Sequence, residues 1–162
     1  MANSIYVTIK GKLQGLISQG CSTLDSIGNK FQLGHEDQIF ALQFNHGVFR
    51  SQNVAHQPVK FVKPLDKSSP LLMMAISNNE ELDLMFEFYR TSQAGGQERF
   101  YSVNLRNAKL LSLNVQYPHS VNHNDQQPEE VVAVRYKDIV CQHHVAGTSG
   151  YCAWEETVYF SI

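Results

Sequence analysis

The sequence predicts a mainly β protein, either a barrel or a sandwich, that carries one short α-helix. Two observations favour this fold class. Apolar and polar residues alternate with a period of two in eight or so segments, which is the spacing of strands that place one face on a core. One run of consecutive apolar residues, Leu71 to Ile76, breaks this alternation and is bounded by turn-forming residues. We expect residues 1–162 to form a single domain, since a chain of this length can bury a core of its own.

The first part of the chain contains three predicted strands separated by long polar stretches. These strands are SIYVTIK (4–10), IFALQF (39–44) and PVKFVK (58–63). In each of them apolar residues alternate with polar ones, apart from short interruptions. The polar stretches cover about residues 11–37 and 45–57 and are rich in the residues that favour loops.

The clearest local prediction is a β-hairpin formed by LDLMFEFYR (82–90) and ERFYSVNLR (98–106). The connection, TSQAGGQ, supplies two consecutive glycines for the turn. If the turn is centred on Ala94 and Gly95, the register brings together three pairs of apolar residues on one sheet face. These pairs are Phe88 with Tyr101, Phe86 with Val103 and Leu84 with Leu105.

Further strands are expected downstream of the hairpin. Apolar alternation resumes at 111–115 after a polar interruption that begins at Asn107, which predicts one long strand with a bend or a bulge. Residues 118–130 have the composition of a solvated loop. VVAVRYKDIVC (131–141) and ETVYFSI (156–162) are the last two predicted strands.

The isolated apolar run predicts a helix of about two turns. Ser69 is the predicted N-cap and Pro70 the first helical residue, a position where a missing N–H costs no hydrogen bond. Asn78 follows the run and is expected to end the helix. So short a helix is marginal alone in water, so its apolar side chains must pack on the barrel. We expect the buried anchors to be Leu71, Met74 and Ile76, with Met73 and Met74 filling gaps in the core.

Composition excludes several classes of partner. The formal net charge of -2 gives no basic surface for nucleic acid. No segment approaches the roughly 18 apolar residues that a membrane span needs, so we expect no membrane insertion. The N-terminal MANSIYVTIKGK begins directly with a strand pattern and lacks the organisation of a signal peptide. We therefore expect the protein to fold in the cytoplasm, and any export would proceed without a cleavable signal.

The cysteines and histidines give only weak indications of chemistry. Cys21, Cys141 and Cys152 contain no C-x-x-C pair and are expected to be free thiols, although a bridge between the last two after export stays open. Cys141 and Cys152 could bind zinc together with His143 and His144, but the spacing matches no zinc motif. We expect no metal and no cofactor.

A nucleophilic pair of Cys141 and His143 is similarly weak. The nearest acid, Asp138, lies on the opposite strand face from Cys141, so the third group that usually orients the base is missing. No glycine-rich segment has the Lys–Ser/Thr ending of a phosphate-binding loop. We expect no catalytic residues.

One segment, PVKFVKPLDKSSPLLMMA (58–75), carries a resemblance to a known family. A strand is followed by a K-x-x-D-K-S/T-S/T-P turn and a short apolar helix. The residues that match this turn are Lys63, Asp66, Lys67, Ser68, Ser69 and Pro70. The likeness continues through residues 94–113 and 134–143. The chain thereby resembles the Hcp (haemolysin-coregulated protein) family, whose members form the inner tube of bacterial type VI secretion systems.

The resemblance implies both a fold and a function. The expected fold is a compact barrel of two antiparallel sheets with one short α-helix packed beside it. The expected assembly is a hexameric ring that stacks into a tube, is capped by a spike protein, is driven by a contractile sheath on baseplate proteins, and carries effector proteins in its lumen. No additional toxin domain and no catalytic residue are implied. The family-signature residues carried over are Lys63, Asp66, Lys67, Ser69, Pro70, Leu71 and Met74.

Three function classes therefore compete. The first is a structural assembly protein, in which barrel strands and the polar stretches 11–37 and 45–57 provide the contacts between subunits. Its lumen would be lined by part of the polar strand faces, represented by Lys60, Glu87, Asn104, Arg106, Arg135 and Lys137. The second is a monomeric barrel that binds a small ligand, because barrels of eight strands can hold one small molecule. The third is a metal or thiol enzyme.

Overall fold

The computed structural model describes residues 3–154 of the chain. Its strands are β1 (Asn3–Gly11), β2 (Gly15–Leu16), β3 (Ile39–Ala41), β4 (Gln43–Asn45), β5 (Val48–Arg50), β6 (Val54–His56), β7 (Val59–Pro64), β8 (Leu82–Thr91), β9 (Gln97–Gln116), β10 (Glu129–Arg135), β11 (Asp138–His143) and β12 (Thr148–Ala153). Its helices are α1 (Leu24–Ile27) and α2 (Ser69–Ser77), and a 3-10 turn spans Gly28–Lys30. The strand predicted at 156–162 lies outside the described residues.

The strands form two antiparallel sheets joined into a barrel-like shell. Hydrogen-bonded neighbours follow the order β2-β1-β8-β9-β10-β7-β4, and β11 lies between β9 and β12. The ends of this path approach each other through residues 39–45, because β3 pairs with β1 and β4 pairs with β7. Leu42 lies between these two short strands, and its N–H donates to the Val62 carbonyl at 2.6 Å. This arrangement confirms the predicted mainly β barrel of two sheets.

The long strand β9 connects the two sheets. A straight strand of 20 residues would extend about 66 Å, whereas a compact chain of this length is roughly 40 Å across. The strand bends at Asn107, which has a φ of 51°. Asp83 accepts the Asn107 N–H at 3.2 Å, and Glu81 accepts its side-chain amide at 2.9 Å. The predicted bend after the polar interruption is therefore confirmed.

The β8–β9 hairpin has the register that the sequence predicts. Leu84 pairs with Leu105, Phe86 with Val103 and Phe88 with Tyr101. The register shifts by one residue after this last pair, nearer the turn. Phe86 also meets Phe61 of β7 edge-to-face, with ring centroids 5.2 Å apart. The inner faces of the two sheets thus interdigitate and form the core.

The C-terminal part differs from the prediction. The segment 131–141, predicted as one strand, is divided into β10 and β11 at Tyr136 and Lys137. The cause is the bend in β9, since β10 pairs with β9 beyond Asn107 and β11 pairs with β9 before it. The predicted loop 118–130 is shorter at its end, because β10 begins at Glu129. The strand β12, in a segment that we expected to be a connection, pairs with β11.

A buried carboxylate fixes the turn between β1 and β2 beside the end of α2. Glu80 accepts the N–H groups of Leu13 and Gln14 at 2.9 Å each and the Gln14 side-chain amide at 2.8 Å. This approach requires a glycine in β1, because a Cβ on Gly11 would overlap the Glu80 carboxylate. The carbonyl of Leu71 accepts a second hydrogen bond from the Gln14 amide at 3.0 Å. The helix is thereby connected to the first hairpin at both of its ends.

Candidate functional site: the signature turn and the arm

The turn that carries the family resemblance encloses a buried ion cluster. Lys63 ends the inner face of β7, and its ammonium lies 3.0 Å from an Asp66 oxygen and 2.6 Å from a Glu130 oxygen of the neighbouring strand β10. The Lys63 side chain is 0% exposed, and those of Asp66 and Glu130 are each 1% exposed. Since buried charges are tolerated only when paired and hydrogen-bonded, these three groups form one structural unit.

The two serines of the turn complete the cluster. The Ser69 hydroxyl accepts a bond from the Lys63 ammonium at 3.1 Å and lies 3.0 Å from Glu130 Oε1, to which it donates. Ser68 donates its N–H at 2.9 Å and its hydroxyl at 2.5 Å to Asp66 Oδ1. The Pro64 carbonyl also accepts from Lys63 at 3.1 Å. The ammonium hydrogens of Lys63 are therefore occupied by bonds within the turn, and this lysine is arranged as a structural cation and not as a base or nucleophile.

The signature turn is also attached to the polar stretch before β3. The exposed Lys67 donates its N–H to the Ser26 hydroxyl at 2.8 Å. Cys21 is buried next to the ion cluster. Burial raises the pKa of the Cys21 thiol to about 12, and the Asp66 charge contributes in the same direction. Cys21 is therefore held as a neutral thiol and is a poor nucleophile.

Helix α2 confirms the existence and length of the predicted helix but corrects two of its details. It begins at Ser69, so that Ser68 is the N-cap and Pro70 lies in the second position of the helix. Its end at Ser77, with Asn78 as C-cap, agrees with the prediction. The prediction that Met74 is a buried anchor is wrong, since this residue is 49% exposed.

The face that α2 buries is carried by other residues. Leu72 and Ala75 are buried, three residues apart on one face of the helix that packs against β9. The other two predicted anchors, Leu71 and Ile76, are partly buried against the same core. Met73 is 58% exposed, so the predicted gap-filling role of both methionines is wrong. The physical reason is that a helix lying on the barrel can direct only one of its faces to the core, and Leu72 and Ala75 occupy that face.

A second feature is a small hairpin that extends from the barrel. Strands β5 and β6 pair only with each other among residues 3–154. We call residues 46–57 the arm. The Gln57 N–H donates to the Gly47 carbonyl at 2.9 Å and closes its base. Val48 and Phe49 are 45% and 57% exposed. A hairpin of this size is marginally stable in water by itself, so contacts at its base and with a partner decide its conformation.

Four aromatic side chains attach the base of the arm to the barrel, and we call them the latch. Both arm histidines contact the hydroxyl of Tyr136, His56 through Nδ1 at 2.6 Å and His46 through Nε2 at 3.0 Å. Tyr136 is buried at the junction of β10 and β11. Trp154 stacks on His56 with centroids 5.8 Å apart and meets Tyr136 edge-to-face at 4.8 Å. No sequence pattern indicates this cluster, because its members come from three distant segments and match no motif.

The electrostatics of the latch favour neutral rings. Burial lowers the pKa of His46 below its ordinary value, and the nearby His56 lowers it further. Burial also lowers the pKa of His56, although a hydrogen bond with the backbone of Ala153 acts in the opposite direction. Burial raises the pKa of Tyr136, so its hydroxyl keeps its proton. The latch is therefore a network of three neutral groups at neutral pH.

The cysteine and histidine residues near the last turn do not come together as a metal site. His144 Nε2 lies 2.8 Å from the Ser102 hydroxyl, and His143 Nδ1 accepts the Ala146 N–H at 2.9 Å. Cys141 and Cys152 are free thiols. Their strands are in register, but Cys141 faces Gly150 and Cys152 faces Ile139, so the two cysteines are diagonal and not directly opposite.

Within residues 3–154, no group of three or more His, Cys, Asp and Glu side chains is close enough to hold a metal ion. None of the helices in that range is long and apolar enough to cross a membrane.

Comparison with known proteins gives one consistent family. The profile described as "Type VI secretion system effector, Hcp" matches residues 6–143. The "Major exported protein" of Pseudomonas aeruginosa is 37% identical over 175 aligned positions, which cover 98% of this chain and 99% of that protein. The "Uncharacterized protein YhhZ" of Escherichia coli is 38% identical over 150 residues, or 91% of this chain, and this chain spans only 37% of the length of that protein.

Solved structures show the same relationship. The structure described as "Crystal structure of Hcp protein" superposes with a TM-score of 0.90 at 34% identity and covers 96% of this chain and 100% of its own. "Secreted protein Hcp3 from Pseudomonas aeruginosa" superposes with a TM-score of 0.86 at 39% identity, with the same coverage. Sequence and structure agree over nearly the whole chain, and this protein belongs to the Hcp family of type VI secretion system proteins.

Proposed function

We propose that copies of this protein assemble into hexameric rings, that the rings stack into the tube of a type VI secretion system, and that the tube is exported with effector proteins in or around it. The observation that carries this proposal is the arm, in a chain whose family is that of a secretion component. The arm exposes Val48 and Phe49 and pairs with no other strand among the described residues. An adjacent copy that covers these side chains would stabilise the hairpin.

A contact made by the arm also explains why a ring would form. If the arm fits a surface of the neighbouring subunit other than that subunit's own arm, the contact joins two different faces. Such a contact does not have two-fold symmetry. Such heterologous contacts generate a closed ring when the rotation closes. Contacts between stacked rings would be small and weak singly, and would add up only when many rings align on the spike and inside the sheath.

The polar strand faces support a role as conduit. Some charges on these faces are paired within the subunit, as in Arg99 with Glu87 and Arg106 with Asp138, both at 2.9 Å. A wall of paired charges offers hydrogen bonds to many cargo surfaces without strong attraction to one. We propose that the protein acts as conduit and carrier and not as an enzyme, in line with the occupied ammonium of Lys63 and the protonated thiol of Cys21.

The test of assembly is the mass of the purified protein in solution, measured by size-exclusion chromatography with light scattering. We expect a particle of about 110 kDa, six times the 18.3 kDa of one chain. Phe49→Asp places a charge on the arm and should give monomers with an unchanged melting temperature. Val121→Asp, at an even more exposed apolar residue of the loop between β9 and β10, is the matched control and should keep the ring. An 18.3 kDa wild-type monomer would contradict the proposal, and a small molecule retained by that monomer would favour a ligand-binding barrel.

The test of the role in secretion uses cells. Deleting the gene should abolish contact-dependent killing and the appearance of this protein in the medium together. Phe49→Asp should reproduce the deletion, and Val121→Asp should not. If the monomeric variant is still exported and still supports killing, the assembled ring is not the working form.

A further inference from the structure

In the latch, the single hydroxyl of Tyr136 forms hydrogen bonds with both histidines, and it has only one hydrogen to donate. The Tyr136 hydroxyl can donate one hydrogen and accept others. With both imidazoles neutral, one histidine nitrogen accepts the hydroxyl hydrogen and the other donates its N–H to the hydroxyl oxygen, and we assign His56 Nδ1 as the acceptor because its distance of 2.6 Å is shorter than the 3.0 Å of His46 Nε2. Both of these contacts are then satisfied. This pattern needs an unprotonated nitrogen on His56.

Protonation of the histidines removes this pattern. A protonated His56 carries a hydrogen on Nδ1, so both imidazoles would donate to the same oxygen and the Tyr136 hydrogen would lose its acceptor. The two cations would also lie on either side of one oxygen atom in a partly buried site. Of the two, His56 has only 8% of its surface exposed, so water can do little to stabilise its charge.

Within residues 3–154, two basic side chains lie beside the latch. The acid nearest to Tyr136 along the chain, Asp138, is already engaged with Arg106 at 2.9 Å. The Arg135 guanidinium lies 5.4 Å from the Trp154 ring centroid, and Lys60 lines the groove that contains His46. The other titratable groups that act on the latch are the thiols Cys141 and Cys152, which interact with Tyr136.

We propose that the latch is a pH-sensitive switch that holds the arm on the barrel at neutral pH and releases it on mild acidification. The inference rests on the proposed function, because release of the arm matters through the contact that the arm makes with a neighbouring subunit. Acidification would then take rings apart, whereas neutral pH would keep them assembled.

The sign of the effect follows from proton linkage. Burial makes both imidazoles bind a proton more weakly in the closed latch than in an open chain. The stabilisation is therefore complete above the ordinary histidine pKa of 6.5 and is lost as the pH falls below it through the lowered values. This range lies within the pH interval in which histidine acts as a switch in proteins.

Trp154 is the only tryptophan of the chain, so its fluorescence reports the latch directly. An imidazolium in contact with an indole quenches its emission, and release of the ring into water shifts the emission to longer wavelength. We expect a sigmoidal change between about pH 7.5 and about pH 5, with a midpoint below 6.5. Replacement of the imidazole in His56→Gln should abolish the change, and His46→Gln should reduce it.

The matched control is His144→Gln. The pKa of His144 is also lowered by burial. This residue directly follows β11, whereas the Asp138–Ala153 pair next to Trp154 is at the other end of that strand, about 20 Å away. This variant should retain the full change in Trp154 emission. Hydrogen exchange of peptides from the arm, corrected for the intrinsic effect of pH, provides a second measurement and should show loss of protection in the wild type only below the fluorescence midpoint.

The mass of the particle separates this inference from the proposed function. We expect the wild-type ring to lose subunits below the fluorescence midpoint. If the ring persists and Trp154 emission and arm exchange stay constant down to about pH 5, the switch is refuted and the tube function stands. If the wild type is a monomer at neutral pH but Trp154 still titrates and the arm opens, the assembly proposal fails and the latch remains. A titration that His56→Gln leaves unchanged would also overturn the switch.

Discussion

Replacing Lys63 with methionine should be among the most destabilising single changes in this protein. The substitution keeps an unbranched side chain of similar length but leaves two carboxylates, Asp66 and Glu130, without their cation in a site that is at most 1% exposed. Removing one partner of a buried ion pair costs about 3 to 5 kcal/mol. Solvent screening does not reduce this value, because none of the three groups reaches water. For a chain of this length, the loss corresponds to a decrease in melting temperature of about 6 to 20 °C.

The assay is denaturant or thermal unfolding followed by circular dichroism. Lys60→Met, three residues earlier on the outer face of the same strand, is the matched control and should change stability by no more than about 0.5 kcal/mol. Glu130→Gln should destabilise the wild type, but in the Lys63→Met background it removes one unpaired charge and should recover part of the loss. A Lys63→Met variant within about 1 kcal/mol of the wild type, or a double variant less stable than either single one, would refute the role assigned to the cluster.

Substitutions at four further positions test the packing and the backbone geometry described above through the free energy of unfolding. Leu72→Ala should cost about 2 to 5 kcal/mol because the side chain is fully buried, whereas Met74→Ala should cost less than about 1 kcal/mol; equal losses would contradict the assigned helix face. Gly11→Ala should be strongly destabilising because its methyl group would displace the Glu80 carboxylate, and a neutral result would show that the turn tolerates movement. Asn107→Gly should be tolerated at a φ of 51°, but Asn107→Val should cost about 1 to 3 kcal/mol; similar melting temperatures would argue against a left-handed bend.

The parts of the fold that the sequence predicts are those in which local pattern and global structure agree. In the β8–β9 hairpin, alternation, turn residues and burial all require one register, so the pairs from Leu84 to Phe88 could be derived before the structure was known. The bend at Asn107 was visible as an interruption in the apolar alternation. The family resemblance located the signature turn but did not reveal its chemistry, because Glu130 is 67 residues away from Lys63 along the chain.

Other features depend on contacts that a local pattern does not contain. The α2 sequence is apolar at six consecutive positions, so no periodicity distinguishes the buried Leu72 from the exposed Met74. The division of 131–141 into two strands is imposed by the neighbouring strand and has no strong signal of its own. The arm was read as a polar stretch because its strands have only three residues each. The latch hydrogen bonds of His46 and His56 are made to Tyr136, which is at least 80 residues away along the chain, so no local pattern indicates them.

The continuity of β9 has a mechanical consequence. A force applied to one sheet reaches the other through the peptide bonds of this strand, in addition to side-chain contacts in the core. Hydrogen bonds of antiparallel neighbours then resist in shear over the full twenty residues, so the barrel should not yield by separation of its two sheets. The elements that yield first under load should be those attached through few side chains, above all the arm. A member of the Hcp family would thereby keep its barrel wall intact while its peripheral hairpin absorbs the deformation.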